Sequence, residues 1–434
     1  MKLAIHGGKP VRKKIFPGNK TIATQEIRAV KMVLTSGVLS KYLGCWHDNF
    51  YGGKEVQALE KEWARYFKVK HAVAVNSATS GLMAAVGAAG IGPGDEVITS
   101  PYTMSATPVS VLVYGGVPVF ADIEDDYYCL DVKSVEKRIT KRTKAIMAVD
   151  IFGQPYDVDG INALARKHGL YVIEDCAQAP GATYAGKYAG TMSDMGVFSL
   201  NYHKHIHCGE GGMIVTNDDK LAQRLQLIRN HAETVVEDMG VTDLNNMLGF
   251  NFRMTELQAA VARCQLRKLN GLLKKRLENV SYLEKRLKAI PAVKIPKVRP
   301  GCKHAFYVYP MTFDASIAGV NREVFLHAVK AELSGFELRE NEGGAAIGIG
   351  YVRPLYFQPL YQKRILYGGT SYPFDRASKE ALASYEPGSA PVCERKHFEE
   401  LFTHEFVHPF LTHKDLDDVA TAFFKVWDHR EELQ

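Results

Sequence analysis

Between His71 and Thr216 the chain alternates short, almost wholly apolar runs with stretches whose apolar residues recur every three to four positions. His71 to Val75, Glu96 to Thr99, Pro118 to Ala121, Lys144 to Ile151, Leu170 to Ile173, Met195 to Leu200 and Met213 to Thr216 read as strands. Leu82 to Ala89, Ser105 to Val113, Asp131 to Ile139, Asp157 to His168 and Asp219 to His231 read as helices. A strand that is apolar on both faces has no side to turn to water. The rhythm therefore predicts an α/β fold in which a mostly parallel sheet is covered by helices on both faces.

Ligands of such sheets bind at the carboxyl ends of the strands. Three candidate groups fall there. The first strand feeds Asn76-Ser77-Ala78-Thr79-Ser80-Gly81, a turn of small hydroxyl residues opening a helix. Its unpaired N–H groups and positive dipole end suit a phosphate, and Ser77 or Thr79 can also cap the helix with no ligand present. Asp175 ends the fifth run, in Glu174-Asp175-Cys176-Ala177-Gln178. Lys204 follows the sixth, between Phe198-Ser199-Leu200 and the turn Gly209-Glu210-Gly211-Gly212. A partly buried lysine has a lowered pKa, so its neutral amine can attack a carbonyl and form a Schiff base. Taken singly, Lys204 could be a surface residue and Asp175 a cap. Taken together, a phosphate-sized helix terminus, a buried carboxylate and a Schiff-base lysine are the parts that a pyridoxal 5'-phosphate (PLP) site needs.

On either side the pattern is looser. Glu55, Leu59, Glu62 and Trp63 share one helix face. Residues 232 to 248 carry no period and read as a loop, and Gly249 opens a long helical region rich in Lys and Arg. No stacking aromatics interleave with those charges, so they read as a solvated face rather than a nucleic-acid patch. Residues 291 to 300 read as a linker, which divides the chain into a large domain, 1–290 with its N-terminal segment, and a smaller C-terminal α+β domain, 291–434. In the latter Ala305 to Thr312 reads as a strand, Arg322 to Leu333 as a helix, and about 340 to 390 as a long segment rich in Gly, Tyr and Pro. The last helix shows Leu416, Val419, Phe423 and Val426 on one face.

Composition narrows the partners. The 54 Lys and Arg against 48 Asp and Glu leave a net charge of +6, too mild to argue for nucleic acid and compatible with anionic small molecules. Seven scattered cysteines without a C-x-x-C pair fit a reducing compartment better than disulfides or zinc. His203, His205 and His207 alternate, yet no carboxylate or cysteine at ligand spacing joins them, so no metal site is expected. Cys208 reads as a small packed residue rather than a nucleophile. Neither a signal-like apolar stretch near Met1 nor a bilayer-spanning run is present, so a soluble, cytoplasmic protein without membrane contact is the expectation.

Several of these motifs recur, in order, in a known family. Asn76 to Gly81, Gly92-Pro93-Gly94-Asp95-Glu96-Val97, Glu174 to Gln178, Ser199 through Lys204 to Gly212, and Gly249-Phe250-Asn251-Phe252-Arg253-Met254-Thr255 resemble the DegT/StrS group of PLP-dependent sugar aminotransferases, of fold type I, the aspartate aminotransferase fold. The resemblance implies that Lys204 carries the cofactor and moves the proton, that Asp175 pairs with the pyridine nitrogen, and that Gln178 sits by the phenolic oxygen. It assigns Ser77, Ala78, Thr79 and Ser199 to the phosphate and brings Asn251 from the second subunit of a homodimer with shared active sites. Arg253, Tyr102 and His203 are candidates for substrate contacts. Where the family places an aromatic ring over the cofactor, this chain has Met104, with Tyr102 nearby as the alternative. The implied reaction moves an amino group from L-glutamate or L-glutamine to a keto-sugar, with a nucleotide-linked one expected. A keto-cyclitol or aminobenzoate-precursor acceptor, a PLP dehydratase, in which histidine usually replaces the lysine, and a non-catalytic regulatory protein are the alternatives.

Overall fold

The computed structural model describes residues 2–338 and 345–433. The start of the long Gly-, Tyr- and Pro-rich segment, residues 339–344, lies outside the described residues. Fourteen strands occur among the described residues. Those of the central sheet are β1 (His71–Val75), β2 (Glu96–Thr99), β3 (Val117–Phe120), β4 (Thr143–Val149), β5 (Tyr171–Asp175), β8 (Met195–Ser199) and β9 (Gly212–Thr216). β6 (Thr183–Tyr184) and β7 (Lys187–Tyr188) form a small third sheet with β11 (Cys302–Lys303). β10 (Val293–Lys294), β12 (Tyr309–Phe313), β13 (Ile347–Ile349) and β14 (Leu401–His404) form a second, antiparallel sheet in the order β10-β12-β14-β13.

The seven-stranded sheet runs β1-β9-β8-β5-β4-β2-β3. Only β9 is antiparallel to its neighbours, so β1, β8 and β5 point the same way. Their carboxyl ends share one edge of the sheet with the amino end of β9. Alternation sorts the side chains as a period of two requires. Val73, Val97, Met147, Ile173 and Ile214 pack on one side, and Ile98, Val119, Ile146 and Val172 on the other. Both faces are covered, which is why the strands read as unbroken apolar runs.

Local chemistry fixes the helix ends. Ser77 caps the helix Ala78–Ala88, its Oγ accepting from the Ser80 N–H at 3.1 Å, so that helix begins four residues before the apolar pattern suggests. Asp157 caps Val158–His168 and Gly169 ends it at φ +65°. The long helix spans Glu256–Leu287, capped by Thr255 with Gln258. It starts later than the sequence pattern implies because residues 249–255 are held extended. The N–H groups of Phe250 and Phe252 donate to Ile228 and Arg229, and Phe252 O accepts from Asn76. Its basic face is also less solvated than charge alone indicates. Arg263 binds Glu55 and Glu62, and the buried Arg276 donates to the carbonyls of Phe306 and Tyr307.

A second core joins Leu3 and Phe16 of the N-terminal segment to Leu283 and Leu287 of the long helix, to Tyr309, Met311 and Phe402 of the second sheet, and to Leu416, Val419, Phe423 and Val426 of the last helix, His413–Asp428. Residues 355–393 return to the central sheet, where Leu355, Tyr356, Tyr361 and Tyr385 pack beside Phe120. The expected strand from Ala305 shortens to Tyr309–Phe313. Ala305 and Tyr307 instead donate their N–H groups to Gly153 and Phe152, a crossing that brings Tyr307 toward the ends of β5 and β8. No helix among the described residues is long and apolar enough to cross a membrane.

Candidate active site

At the shared sheet edge, Gly212 pairs with Val75 on one side and with Ser199 on the other. This register puts the turn after β1 and the end of β8 one strand apart. A Cβ on residue 212 would lie 2.6 Å from the carbonyl of Ser77 and 2.7 Å from the Ala78 nitrogen, so only glycine lets the turn settle this close. Ser77 Oγ is taken by Ser80, and Ser80 in turn bonds Asn76. The Ala78 and Thr79 N–H groups, in the first helical turn, have no residue one turn earlier to bond. They are unpaired donors at the positive end of the helix. Ser199 is buried, and its Oγ accepts from the Asn201 N–H at 3.2 Å.

Asp175 is 5% exposed. Burial raises its carboxyl above the usual range, while the Thr107 hydroxyl, the Ala177 N–H and the charge of Lys204 oppose the rise. Thr107 Oγ1 donates to Oδ2 at 2.8 Å and Ala177 N–H to Oδ1 at 3.1 Å. Thr107, the last residue of Thr103-Met104-Ser105-Ala106-Thr107, thus joins the candidate site with no motif of its own to announce it.

Asn201 shapes the lysine loop. Its carbonyl accepts from Lys204 N–H, its side chain accepts from His203 N–H, and its amide donates to Glu210. Lys204 is half-buried, with Nζ 4.2 Å from the centroid of the Tyr307 ring. Burial lowers the amine to about 8 against the opposing charge of Asp175. Roughly a tenth is then neutral at pH 7, several-hundredfold more than for a free lysine. Beside the loop lies a cavity of about 270 Å³, lined among others by Tyr202, His203, Arg276, Tyr307 and His408.

Gln178 is held at both ends of its amide. Oε1 accepts from the Phe152 N–H at 2.7 Å and Nε2 donates to the Tyr351 hydroxyl at 2.9 Å. Phe152 sits at φ +58°, which costs a non-glycine residue about 1–2 kcal/mol. Its N–H and its carbonyl are both bonded, to Gln178 and Tyr307, and this holds the conformation in place. Phe152, Tyr307 and Tyr351 carry no motif and were invisible in the sequence.

The remaining candidates are dispersed. Met104 is 58% exposed, whereas Tyr102 is wholly buried with its hydroxyl 3.5 Å from His397 Nδ1. Asn251 is exposed on the extended segment and its side chain accepts from Arg253 Nε at 2.7 Å. His205 is buried, with Nε2 2.9 Å from the Ala305 carbonyl, so the three alternating histidines do not share a face toward one point. Burial raises the Cys208 thiol to about 12, which leaves it protonated and unreactive at neutral pH. Under β5, Asp150, Glu174 and Cys176 cluster in the core. Asp150 Oδ2 meets no donor, as expected for a carboxyl that carries a proton toward Glu174.

The donor set suits PLP. It offers unpaired N–H groups for a phosphate, a buried carboxyl for a ring nitrogen, and an amine of lowered basicity for an aldehyde.

Comparison with known proteins agrees with that chemistry. The DegT/DnrJ/EryC1/StrS aminotransferase family model matches residues 24–383. The chain is 40% identical over 273 residues to a GDP-perosamine synthase of Caulobacter vibrioides, covering 63% of this chain and 72% of that one. It is 31% identical over 440 residues to an L-glutamine:2-deoxy-scyllo-inosose aminotransferase of Streptomyces paromomycinus, covering 98% of each. An aminotransferase from Psychrobacter cryohalolentis superposes with a TM-score of 0.79 at 28% identity, covering 96% of this chain and 99% of that one. The chain belongs to the DegT/DnrJ/EryC1/StrS aminotransferase family, and it is an enzyme of the PLP-dependent fold type I class.

Proposed function

We propose that the enzyme moves an amino group from L-glutamate or L-glutamine to the ketone of a nucleotide-linked sugar. The observation that carries this reading is the convergence, on one sheet edge, of the Lys204 amine, the Asp175 carboxyl and the unpaired N–H groups of Ala78 and Thr79. PLP supplies an aldehyde and an electron sink when bound. Ala78, Thr79, Ser77 and Ser199 would hold its phosphate. Asp175 would pair with the ring nitrogen and favour its protonated form, with Thr107 orienting the carboxyl, and Gln178 would sit by the phenolic oxygen. Lys204, neutral in a useful fraction near pH 8, would hold the cofactor through its amine and would accept and return the proton at the substrate carbon. Met104, 58% exposed, would be the candidate to cover the ring, since Tyr102 is buried.

The acceptor enters beside the lysine loop, where the cavity lined by His203, Arg276 and Tyr307 offers room. Arg253 is the candidate for an anionic group of a substrate. A homodimer completes the site by bringing Asn251 to the partner's phosphate. In support, Ile27, Met32, Leu34, Leu39, Leu43 and Trp46 are exposed, and this apolar stretch is tied to the neighbourhood of Asn251 by the bond from Glu256 N–H to Leu39 O. The seven unpaired cysteines accord with a cytoplasmic enzyme.

A second reading keeps the mechanism and makes the acceptor a keto-cyclitol. It is favoured by the end-to-end match to the inosose aminotransferase. A dehydratase is disfavoured because lysine, not histidine, occupies position 204. The test mixes purified protein with PLP and looks for a visible band beyond that of free cofactor, then for 2-oxoglutarate from L-glutamate. Keto-sugar nucleotides and keto-cyclitols are then compared as acceptors. No band in the wild type, or full activity in Lys204→Ala, would overturn the proposal.

A further inference from the structure

Gln178 is bonded by a residue 173 positions further along the chain. Tyr351 follows β13 on the second sheet, and how it gets there is written in Gly350. That glycine has φ +75°, its N–H donates to Leu401 of β14, and a Cβ on it would lie 2.7 Å from His397 Nδ1. The backbone turns away from the sheet at this point. Tyr351 is delivered across to the central sheet, where its ring meets Phe152 edge-on at 5.1 Å and Tyr102 at 6.0 Å. Its own backbone N–H acts on the Tyr102 hydroxyl. Main chain and side chain are thus both anchored before any ligand arrives.

The direction of the Gln178 bond decides what Tyr351 can do next. Gln178 Oε1 is taken by the Phe152 N–H, which fixes the flip of the amide and leaves Nε2 as the donor toward Tyr351. The tyrosine oxygen therefore accepts, and its own proton is free to be donated elsewhere. The hydroxyl is bonded to Gln178, three residues beyond Asp175, and the Asp175 charge acts on it. Burial raises the phenol to about 12, which keeps that proton in place at working pH.

We infer that Tyr351 is a second hydrogen-bond donor to the phenolic oxygen of the bound ring, carried from the second sheet and aligned by Gln178. The inference rests on the PLP reading above and adds a residue to it. One of the two Nε2 hydrogens of Gln178 goes to Tyr351, and the other remains for the same ring oxygen. Tyr351 follows β13 directly, so this donor is tethered to the second sheet through Gly350.

The groups facing Tyr351 are Asp175 across the site, Tyr102 at its backbone and His397 beside Gly350, with Arg322 and Arg353 acting on His397. Burial lowers His397 to about 4, so it stays neutral through the range that matters. The test reconstitutes wild type, Tyr351→Phe and Tyr351→His with PLP and follows the visible band from about pH 5 to about pH 10, with melting curves to confirm folding. A donor to the ring oxygen favours the form in which that oxygen holds no proton. Removing the donor in Tyr351→Phe should therefore raise the midpoint by about one pH unit. Tyr351→His, which keeps a ring N–H, should fall between the two. Midpoints that match wild type in both folded variants, or equal shifts in Phe and His, overturn the inference and leave the cofactor reading standing. Absence of the band in wild type overturns both.

Discussion

Thr107→Val exchanges a buried hydroxyl for a methyl group of the same shape and so isolates what the hydroxyl does for Asp175. The hydroxyl donates to Asp175 Oδ2 at 2.8 Å and lies 3.2 Å from Thr103 Oγ1. Since Thr107 gives its proton to Asp175, Thr103 is the donor in that second bond. The substitution then has two costs. Stranding the buried Thr103 hydroxyl costs about 1 kcal/mol at any pH. Losing a hydrogen bond to the ionised carboxylate costs about 1–2 kcal/mol more than losing one to the neutral acid, which is equivalent to raising the Asp175 pKa by about one unit. The sign follows from the direction of the existing shift. Burial already holds the folded pKa of Asp175 above its unfolded value, so ionisation withdraws stability as pH rises through the folded pKa. The variant, with the pKa higher still, loses more over the same window. Urea denaturation of the cofactor-free protein should show a destabilisation of about 1 kcal/mol near pH 4 that grows to about 2–3 kcal/mol by pH 8. Ala177 still donates to Oδ1, so the carboxyl does not collapse. A destabilisation that is flat in pH, or larger at the acid end, would refute the role given to Thr107.

Other sites give sharper, simpler outcomes. Gly212→Ala drives a Cβ into the backbone of Ser77 and Ala78 and should cost about 1–3 kcal/mol while weakening PLP binding more than it lowers the melting temperature; unchanged affinity by fluorescence titration would detach the phosphate turn from β9. Burial, and the charge of Glu174, hold Asp150 well above the usual carboxyl range, so the pair loses stability as pH rises through its folded value. Asp150→Asn cannot ionise, and its stability curve should lack the alkaline-side slope of about 1.4 kcal/mol per pH unit; parallel curves would contradict the shared proton. In the cofactor-free protein, reductive trapping of Lys204 by a small aldehyde, followed by peptide mass spectrometry, should have its midpoint near pH 8. A midpoint above 10 would return Lys204 to the behaviour of a surface lysine.

What could be read from the chain divides along a physical line. The central sheet was legible because burial on both faces writes itself into every strand residue, and the end of β1 was legible because Ser77 must cap a helix whose first N–H groups have no partner. Asp175 and Lys204 stood out because strand ends put chemistry at fixed positions in the sequence, and Gln178 stood out through the family resemblance. The groups that orient them did not. Thr107 reaches Asp175 across 68 residues and Tyr351 reaches Gln178 across 173, and neither contact leaves a local period. The start of the long helix is hidden for a related reason: the apolar residues from Gly249 to Met254 resemble a helix face, but the backbone donors of Phe250 and Phe252 are spent on β-like bonds to residues 228 and 229. Phe152 carries the same lesson into the site. Its left-handed backbone is unfavourable on its own and holds only because Gln178 and Tyr307 claim its N–H and carbonyl from opposite directions. Tyr307 also underlies Lys204, so a single strained residue links the lysine's floor to the Gln178 amide. Sequence motifs name the groups that would touch the cofactor, whereas their relative placement is set by bonds between segments that only folding brings together.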